Sequence, residues 1–118
     1  MTLKECYAAM EGNYEDVVSR LSSERLVQKF VLKFLDDKSY DTLCSSLESG
    51  NVEEAFRAAH TIKGMCQNLS FSKLADSSHD ITEVLRSGDL EGAKAYIDRV
   101  RADYECTVDA IRAFQAEL

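Results

Sequence analysis

Residues 51–69 read NVEEAFRAAHTIKGMCQNL, and this stretch decides the fold that we expect for the chain. Its apolar residues are Val52, Ala55, Phe56, Ala59, Ile62, Cys66 and Leu69. They recur at intervals of three and four positions, which places their side chains on one face of an α-helix. A helix with one apolar face is typical of a bundle, because that face packs against neighbouring helices.

The other side of this predicted helix carries a histidine among polar residues. His60 is rotated by about 100° from Ala59, so it lies off the apolar face, beside Lys63 and Gln67. We expect the His60 imidazole to be at least half exposed. Gly64 lies one turn further on, although glycine inside a helix costs roughly 1 kcal/mol relative to alanine. Either another molecule approaches His60 closely at Gly64, or a neighbouring helix packs there.

The composition indicates a single all-α domain. The 118 residues contain no proline and only five glycines, and they are rich in Ala, Leu, Glu, Lys and Arg. This balance favours helices over a sheet, which would need many tight turns. We predict an antiparallel, up-down four-helix bundle at about 38–118, preceded by short helices at about 1–37.

Glycine followed by a capping residue marks two tight joints between helices. Gly50 precedes Asn51, and Gly88 precedes Asp89, so each glycine ends one helix and the next residue caps another. Beyond the second joint, the apolar pattern continues for about 29 residues, too far for one small bundle. The end of this last helix should pack against the N-terminal helices. Dimerisation through it is the alternative, and we expect a monomer.

Charge and cysteine spacing exclude several classes of protein. A net charge of −7 argues against a nucleic-acid backbone as the partner. No apolar run approaches the roughly 20 residues of a membrane span, and no signal peptide is evident, which predicts a cytoplasmic protein without a membrane partner. The four cysteines form no C-x-x-C pair, so we expect reduced thiols. A metal site of His60, His79 and cysteines is disfavoured because suitable ligand spacing is lacking.

The polar strip matches a known motif. Ala59, His60, Lys63 and Gly64, followed by the pair Asn68-Leu69, fit the pattern AH-x-x-KG with a later Asn-Leu. The chain therefore resembles the histidine-containing phosphotransfer (HPt) domain family. Residues 85–90, LRSGDL, look like the link into the last helix of that family. The chain departs from the pattern at Ser70, where a glycine often follows the Asn-Leu pair.

The resemblance implies roles for the residues of this strip. His60 would carry the phosphoryl group, since imidazole is neutral near pH 7 and leaves readily once phosphorylated. Lys63 would stabilise the charge on the phosphoryl oxygens, and Gly64 would leave room for the partner. Phe56, Arg57 and Gln67 extend the strip and are expected to contact that partner.

A second set of residues is predicted to orient the His60 imidazole. The chemotaxis histidine kinases, a branch of the same family, have a histidine at the position of His79 and a carboxylate three residues later. Here the later position is Thr82, which cannot supply a carboxylate. His79, Thr82 and Glu83 remain the candidates for orienting His60, with Asp80 or Glu83 acting from an altered angle.

The function implied by the resemblance is that of a phosphorelay carrier. The phosphoryl group would come from a sensor histidine kinase or a receiver aspartate and pass through His60 to another response-regulator receiver domain. The receiver would bring Mg²⁺, so the chain itself needs no cofactor or metal. No Gly-rich phosphate loop is present, so we expect no ATP-dependent kinase activity of its own. The alternative is a helical interaction module that binds a signalling partner without phosphorylation.

Overall fold

Seven α-helices make up the computed structural model, which describes all 118 residues and contains no strand. The helices are α1 (Leu3–Ala9), α2 (Tyr14–Leu21), α3 (Glu24–Phe34), α4 (Ser39–Ser49), α5 (Val52–Leu69), α6 (Ser72–Arg86) and α7 (Leu90–Ala116). The prediction of an all-α chain is confirmed. No helix combines the length and the apolar composition that a membrane crossing requires.

Polar side chains fix where most of these helices begin. In each of five cases the residue before the helix accepts a hydrogen bond from the backbone N–H three positions later. Such a cap satisfies one of the N–H groups that a helix start leaves unpaired and contributes about 1 kcal/mol. The capping residues are Thr2, Asn13, Ser23, Asn51 and Asp89, which precede α1, α2, α3, α5 and α7.

Residues in the left-handed backbone conformation follow α4, α5 and α6. Gly50 and Gly88 have φ angles of +77° and +82°, the conformation that the two predicted joints require. Ser70 adopts the same region, with a φ of +56°. Its hydroxyl donates to the Asp16 carboxylate over 2.6 Å and accepts from the Arg20 guanidinium over 3.0 Å. These hydrogen bonds hold Ser70 in the left-handed conformation.

Helices α4 to α7 form the bundle. α5 packs between α4 and α6, α6 also packs on α7, and α4 meets α7. Consecutive helices of this group are joined by only two or three residues, so neighbours run antiparallel. The structure therefore confirms an up-down four-helix bundle with additional short N-terminal helices.

The face that α5 buries is made largely of small side chains. Ala55, Ala59, Ile62, Cys66 and Leu69 are buried as the sequence predicts, whereas Val52 and Phe56 are only half-buried. Ala58 joins the buried face, although the sequence pattern did not select it. Small residues allow α4 and α6 to approach α5 closely.

All four cysteines are free thiols, and burial raises the pKa of the Cys66 thiol.

The N-terminal helices hold the C-terminal end of α5. The Tyr7 hydroxyl donates to the carbonyl of Leu69 over 2.7 Å, and the Arg20 guanidinium donates to the carbonyls of Gln67 and Asn68 over 2.8 and 2.9 Å. The last carbonyls of a helix lack partners within it, so these donors satisfy them. Helix α1 also packs on α7, as predicted for the end of the long helix.

Replacing Tyr7 with phenylalanine should destabilise the fold measurably. Tyr7 is 1% exposed, and its loss as a donor would leave the buried Leu69 carbonyl unpaired. We expect Tyr7→Phe to lower the free energy of unfolding by about 1–3 kcal/mol, as measured by urea denaturation. The control is Tyr96→Phe, at a tyrosine that is 39% exposed, which should change it by less than about 0.5 kcal/mol. Equal stability of the two variants would contradict this role of Tyr7.

Candidate functional site

His60 lies in the middle of α5, on the side that faces solvent. Its imidazole is exposed, while the preceding residue, Ala59, is fully buried. The expected exposure of His60 is therefore observed. Neither ring nitrogen takes part in a hydrogen bond within the chain, and the ring contacts the side chain of Phe56. The imidazole is thus open to reaction with a group brought by another molecule.

Gly64 leaves open space one turn beyond His60. A Cβ atom built at Gly64 would have no heavy atom within 4 Å outside its own helix backbone. No neighbouring helix of this chain therefore requires a glycine there. The sequence left two explanations for a glycine at position 64. The structure shows that one of them, close packing of a neighbouring helix of this chain, is wrong. Close approach by a partner remains the prediction for Gly64.

Two cations of α5 lie on the same strip as His60. The side chain of Arg57 is exposed and that of Lys63 is half-buried. Neither takes part in any ion pair of the chain. Their charges are consequently available to an anionic group near the imidazole. Gln67, on the next turn of the strip, is also exposed.

The three residues predicted to orient His60 all lie on α6, and none of them forms a hydrogen bond with the imidazole. Thr82 is buried, and its hydroxyl donates to the carbonyl of Ser78. His79 is exposed. Glu83 accepts a hydrogen bond of 2.9 Å from the Arg86 guanidinium. Their proposed influence on His60 remains a prediction.

Arg86 was missed by the sequence analysis. Its guanidinium carbon lies 5.0 Å from the centre of the Phe56 ring, and its Nε binds Glu83. The hydrogen bond from Arg86 lowers the pKa of Glu83, and the charges of His79 and Lys63 lower it further. Arg86 and Phe56 are 30 positions apart in the sequence, and only the packing of α6 on α5 brings them together.

Grooves flank the His60 strip at both ends. One, with a volume of about 740 Å³, opens between the start of α5 and the end of α6. It is lined by Val52, Glu53, Phe56, Arg57, Leu85, Arg86 and Gly88. The other, of about 400 Å³, lies between α3 and the end of α5, and the exposed side chain of Phe30 forms part of its lining. The strip is therefore framed by mixed apolar and charged surface.

Side chains able to bind metal are dispersed. No three or more His, Cys, Asp or Glu residues are grouped so that they could hold an ion. The His60 strip carries an imidazole, two unpaired cations and an open glycine position, an arrangement with the charge to attract an anionic group.

Comparison with known proteins identifies the family of the chain. The family model described as Hpt domain matches residues 25–114. Among curated proteins, the chemotaxis protein CheA of Bacillus subtilis (strain 168) is 36% identical over 50 residues, which are 40% of this chain and 7% of that protein. The chain thus spans only a small part of this relative's length. No solved structure matches the chain.

The matched residues extend from the start of α3 almost to the end of α7 and include the whole His60 strip. A match over this much of the chain establishes its family. The chain belongs to the Hpt domain family, the histidine phosphotransfer modules of two-component signalling.

Proposed function

We propose that His60 is the phosphorylated residue of a phosphorelay. It accepts a phosphoryl group from a sensor histidine kinase or from an aspartyl phosphate of a receiver domain, and it passes that group to another receiver. The observation that carries the proposal is the exposed imidazole at the centre of α5, with an unpaired lysine and an open glycine position one turn away. Membership of the Hpt family supports it.

The reaction needs little from this chain beyond the nucleophile and its surroundings. One ring nitrogen of neutral His60 forms a bond to phosphorus while the bond from phosphorus to the aspartyl oxygen breaks, and the aspartate leaves as a carboxylate. The other ring nitrogen carries the proton. Lys63 stabilises the charge on the phosphoryl oxygens, an effect that grows when docking excludes water. Transfer to the next receiver is the same step in reverse.

The partner supplies the remaining chemistry. We propose that the receiver brings the acceptor aspartate and Mg²⁺, so that this chain binds no cofactor of its own. Phe56, Arg57 and Gln67 then form part of the docking surface around His60. The proposal also implies a cytoplasmic location and a monomer that meets its partners one at a time. The proposed function does not require ATP-dependent kinase activity in this chain.

The first prediction separates the phosphorelay from a binding module without phosphorylation. Incubation with a phosphorylated receiver should label the protein once, with an acid-labile and base-stable phosphoryl group, whereas ATP alone should not label it. His60→Gln should abolish labelling and leave the circular dichroism spectrum unchanged, because exposed sites tolerate substitution within about 0.5 kcal/mol.

His79→Gln is the matched control, since His79 is the other histidine of the chain and is also exposed. This variant should retain most of the label. Labelling that survives the loss of His60, or labelling by ATP alone, would refute the proposed relay and leave the binding module as the function.

The second prediction concerns access at Gly64. Gly64→Leu should slow phosphotransfer at least about tenfold, because its side chain would stand between His60 and the receiver and displace the reacting atoms. Gly64→Ala should raise the free energy of unfolding by about 0.5–1 kcal/mol, since the added Cβ meets no other atom within 4 Å. Rapid-quench transfer assays and urea denaturation measure the two effects. Equal transfer rates for Gly64→Leu and the parent would show that a partner does not use this space.

The third prediction concerns the charge of Lys63. Lys63→Ala should transfer phosphoryl groups about 10-fold more slowly without abolishing labelling, because the ammonium stabilises charge but makes and breaks no bond. Lys63→Arg should restore part of the rate. Lys94→Ala, on the exposed surface of α7, serves as the control and should match the parent. If Lys63→Ala transferred phosphoryl groups at the rate of the parent, Lys63 would have no role in the mechanism.

A further inference from the structure

The imidazole of His60 has one restraining neighbour. The Phe56 ring lies one helical turn before it, with the ring centres 5.8 Å apart and the planes at 67°. This edge-to-face arrangement is a favourable geometry for two aromatic rings, because the edge of one meets the electron-rich face of the other. The contact joins an exposed side chain, His60, to a half-buried one.

The Phe56 ring is itself held by a second helix. Its half-buried side chain packs against the hydrophobic core, and the guanidinium carbon of Arg86 lies 5.0 Å from its centre. A guanidinium in this position is attracted to the ring electrons. Phe56 therefore has fixed contacts on both α5 and α6, unlike a side chain that moves freely in water.

Glu83 keeps Arg86 in this position. The two residues lie three positions apart on α6, and the Arg86 Nε donates to Glu83 over 2.9 Å. This hydrogen bond lowers the pKa of Glu83, because it stabilises the ionised carboxylate that accepts from Arg86. The contacts thus run from Glu83 to Arg86, then to Phe56, and finally to His60.

Other neighbours of the strip offer the imidazole no comparable support. The Thr82 hydroxyl is already donated to a backbone carbonyl, and Glu83 is bound to Arg86. Lys63 is a cation that has no acceptor atom for a ring N–H. The ring contact with Phe56 is consequently the interaction that can select the orientation of His60.

We infer that Phe56 is a positioning residue for His60 and that Arg86, anchored by Glu83, holds the Phe56 ring in place. The inference rests on the proposed phosphotransfer and names the residues that orient its nucleophile. A fixed imidazole presents one ring nitrogen along the line of attack. Displacing a reacting atom by about 1 Å can slow a reaction about 100-fold.

The first test needs no phosphoryl group. Three-bond couplings across the His60 side chain, measured by NMR on the unphosphorylated protein, should show a single side-chain orientation in the parent. In Phe56→Leu they should show averaging over several orientations, while the circular dichroism spectrum stays helical. His79 has no aromatic partner in the structure, so its signals serve as the control in the same spectra and should not change.

The second test measures transfer from a saturating phosphorylated receiver. Phe56→Leu should lower the maximal rate about 10- to 100-fold, and because Phe56 also belongs to the proposed docking surface, the half-saturating receiver concentration should change by a much smaller factor. Arg86→Ala should lower the maximal rate less, and the double variant should be no slower than Phe56→Leu alone, because Arg86 acts through Phe56. Arg99→Ala removes an exposed arginine that pairs with Asp80 and contacts no ring, and it should leave the rate unchanged.

The outcomes separate this inference from the proposed function. If the parent takes up no phosphoryl group, the relay fails, and the NMR couplings still report whether Phe56 orients His60. Averaged couplings in the parent, or unchanged couplings in Phe56→Leu, would overturn the role of Phe56. If the losses of maximal rate multiply in the double variant, or if Arg86→Ala changes the half-saturating receiver concentration, Arg86 acts on the receiver directly. Either result would overturn the assignment of Arg86 as a support for the Phe56 ring.

Discussion

The burial of one narrow face of α5 between α4 and α6 is the constraint on which the site depends. Ala55, Ala59 and Ile62 are almost entirely buried on that face. Because the residue after Ala59 is rotated by about 100° around the helix axis, burying the alanine sends the histidine towards solvent. Small side chains let the flanking helices approach without covering the opposite side of α5. The same packing that stabilises the bundle therefore exposes the His60 imidazole.

Helix α5 is stabilised by hydrogen bonds at its C-terminal end as well as by the burial of its apolar face. The carbonyls of residues 67–69 lie in the last turn of α5, and donors from α1 and α2 bind them. Arg20 makes two of these contacts and also binds Ser70, which occupies a left-handed conformation that is uncommon for serine. The N-terminal helices thus fix the length and direction of α5, although they contribute no residue to the His60 strip.

Local patterns predicted most of the fold. Apolar spacing, capping residues and the joints at Gly50 and Gly88 depend on neighbours within a few positions, so they can be seen in the sequence. The position of His60 on the solvent side of α5 follows from the same helical geometry. The contact of Arg86 with Phe56 could not be predicted, because it depends on the rotation of α6 against α5. Nor could Gly64 be assigned, since the sequence does not show whether a neighbouring helix covers it.

Two cations of the His60 strip stay unpaired although the chain as a whole is acidic. Its net charge is −7, yet neither Arg57 nor Lys63 is neutralised by a carboxylate of the chain. Glu83 lies near enough for the charge of Lys63 to lower its pKa, but its hydrogen bond goes to Arg86. In water an exposed cation attracts a phosphoryl group only weakly. If a docked partner excluded water from the strip, the same charge would act at a lower dielectric and would stabilise a bound anionic group more strongly. Arg86 makes two contacts at the edge of the His60 strip, one with the Glu83 carboxylate and one with the face of the Phe56 ring beside His60.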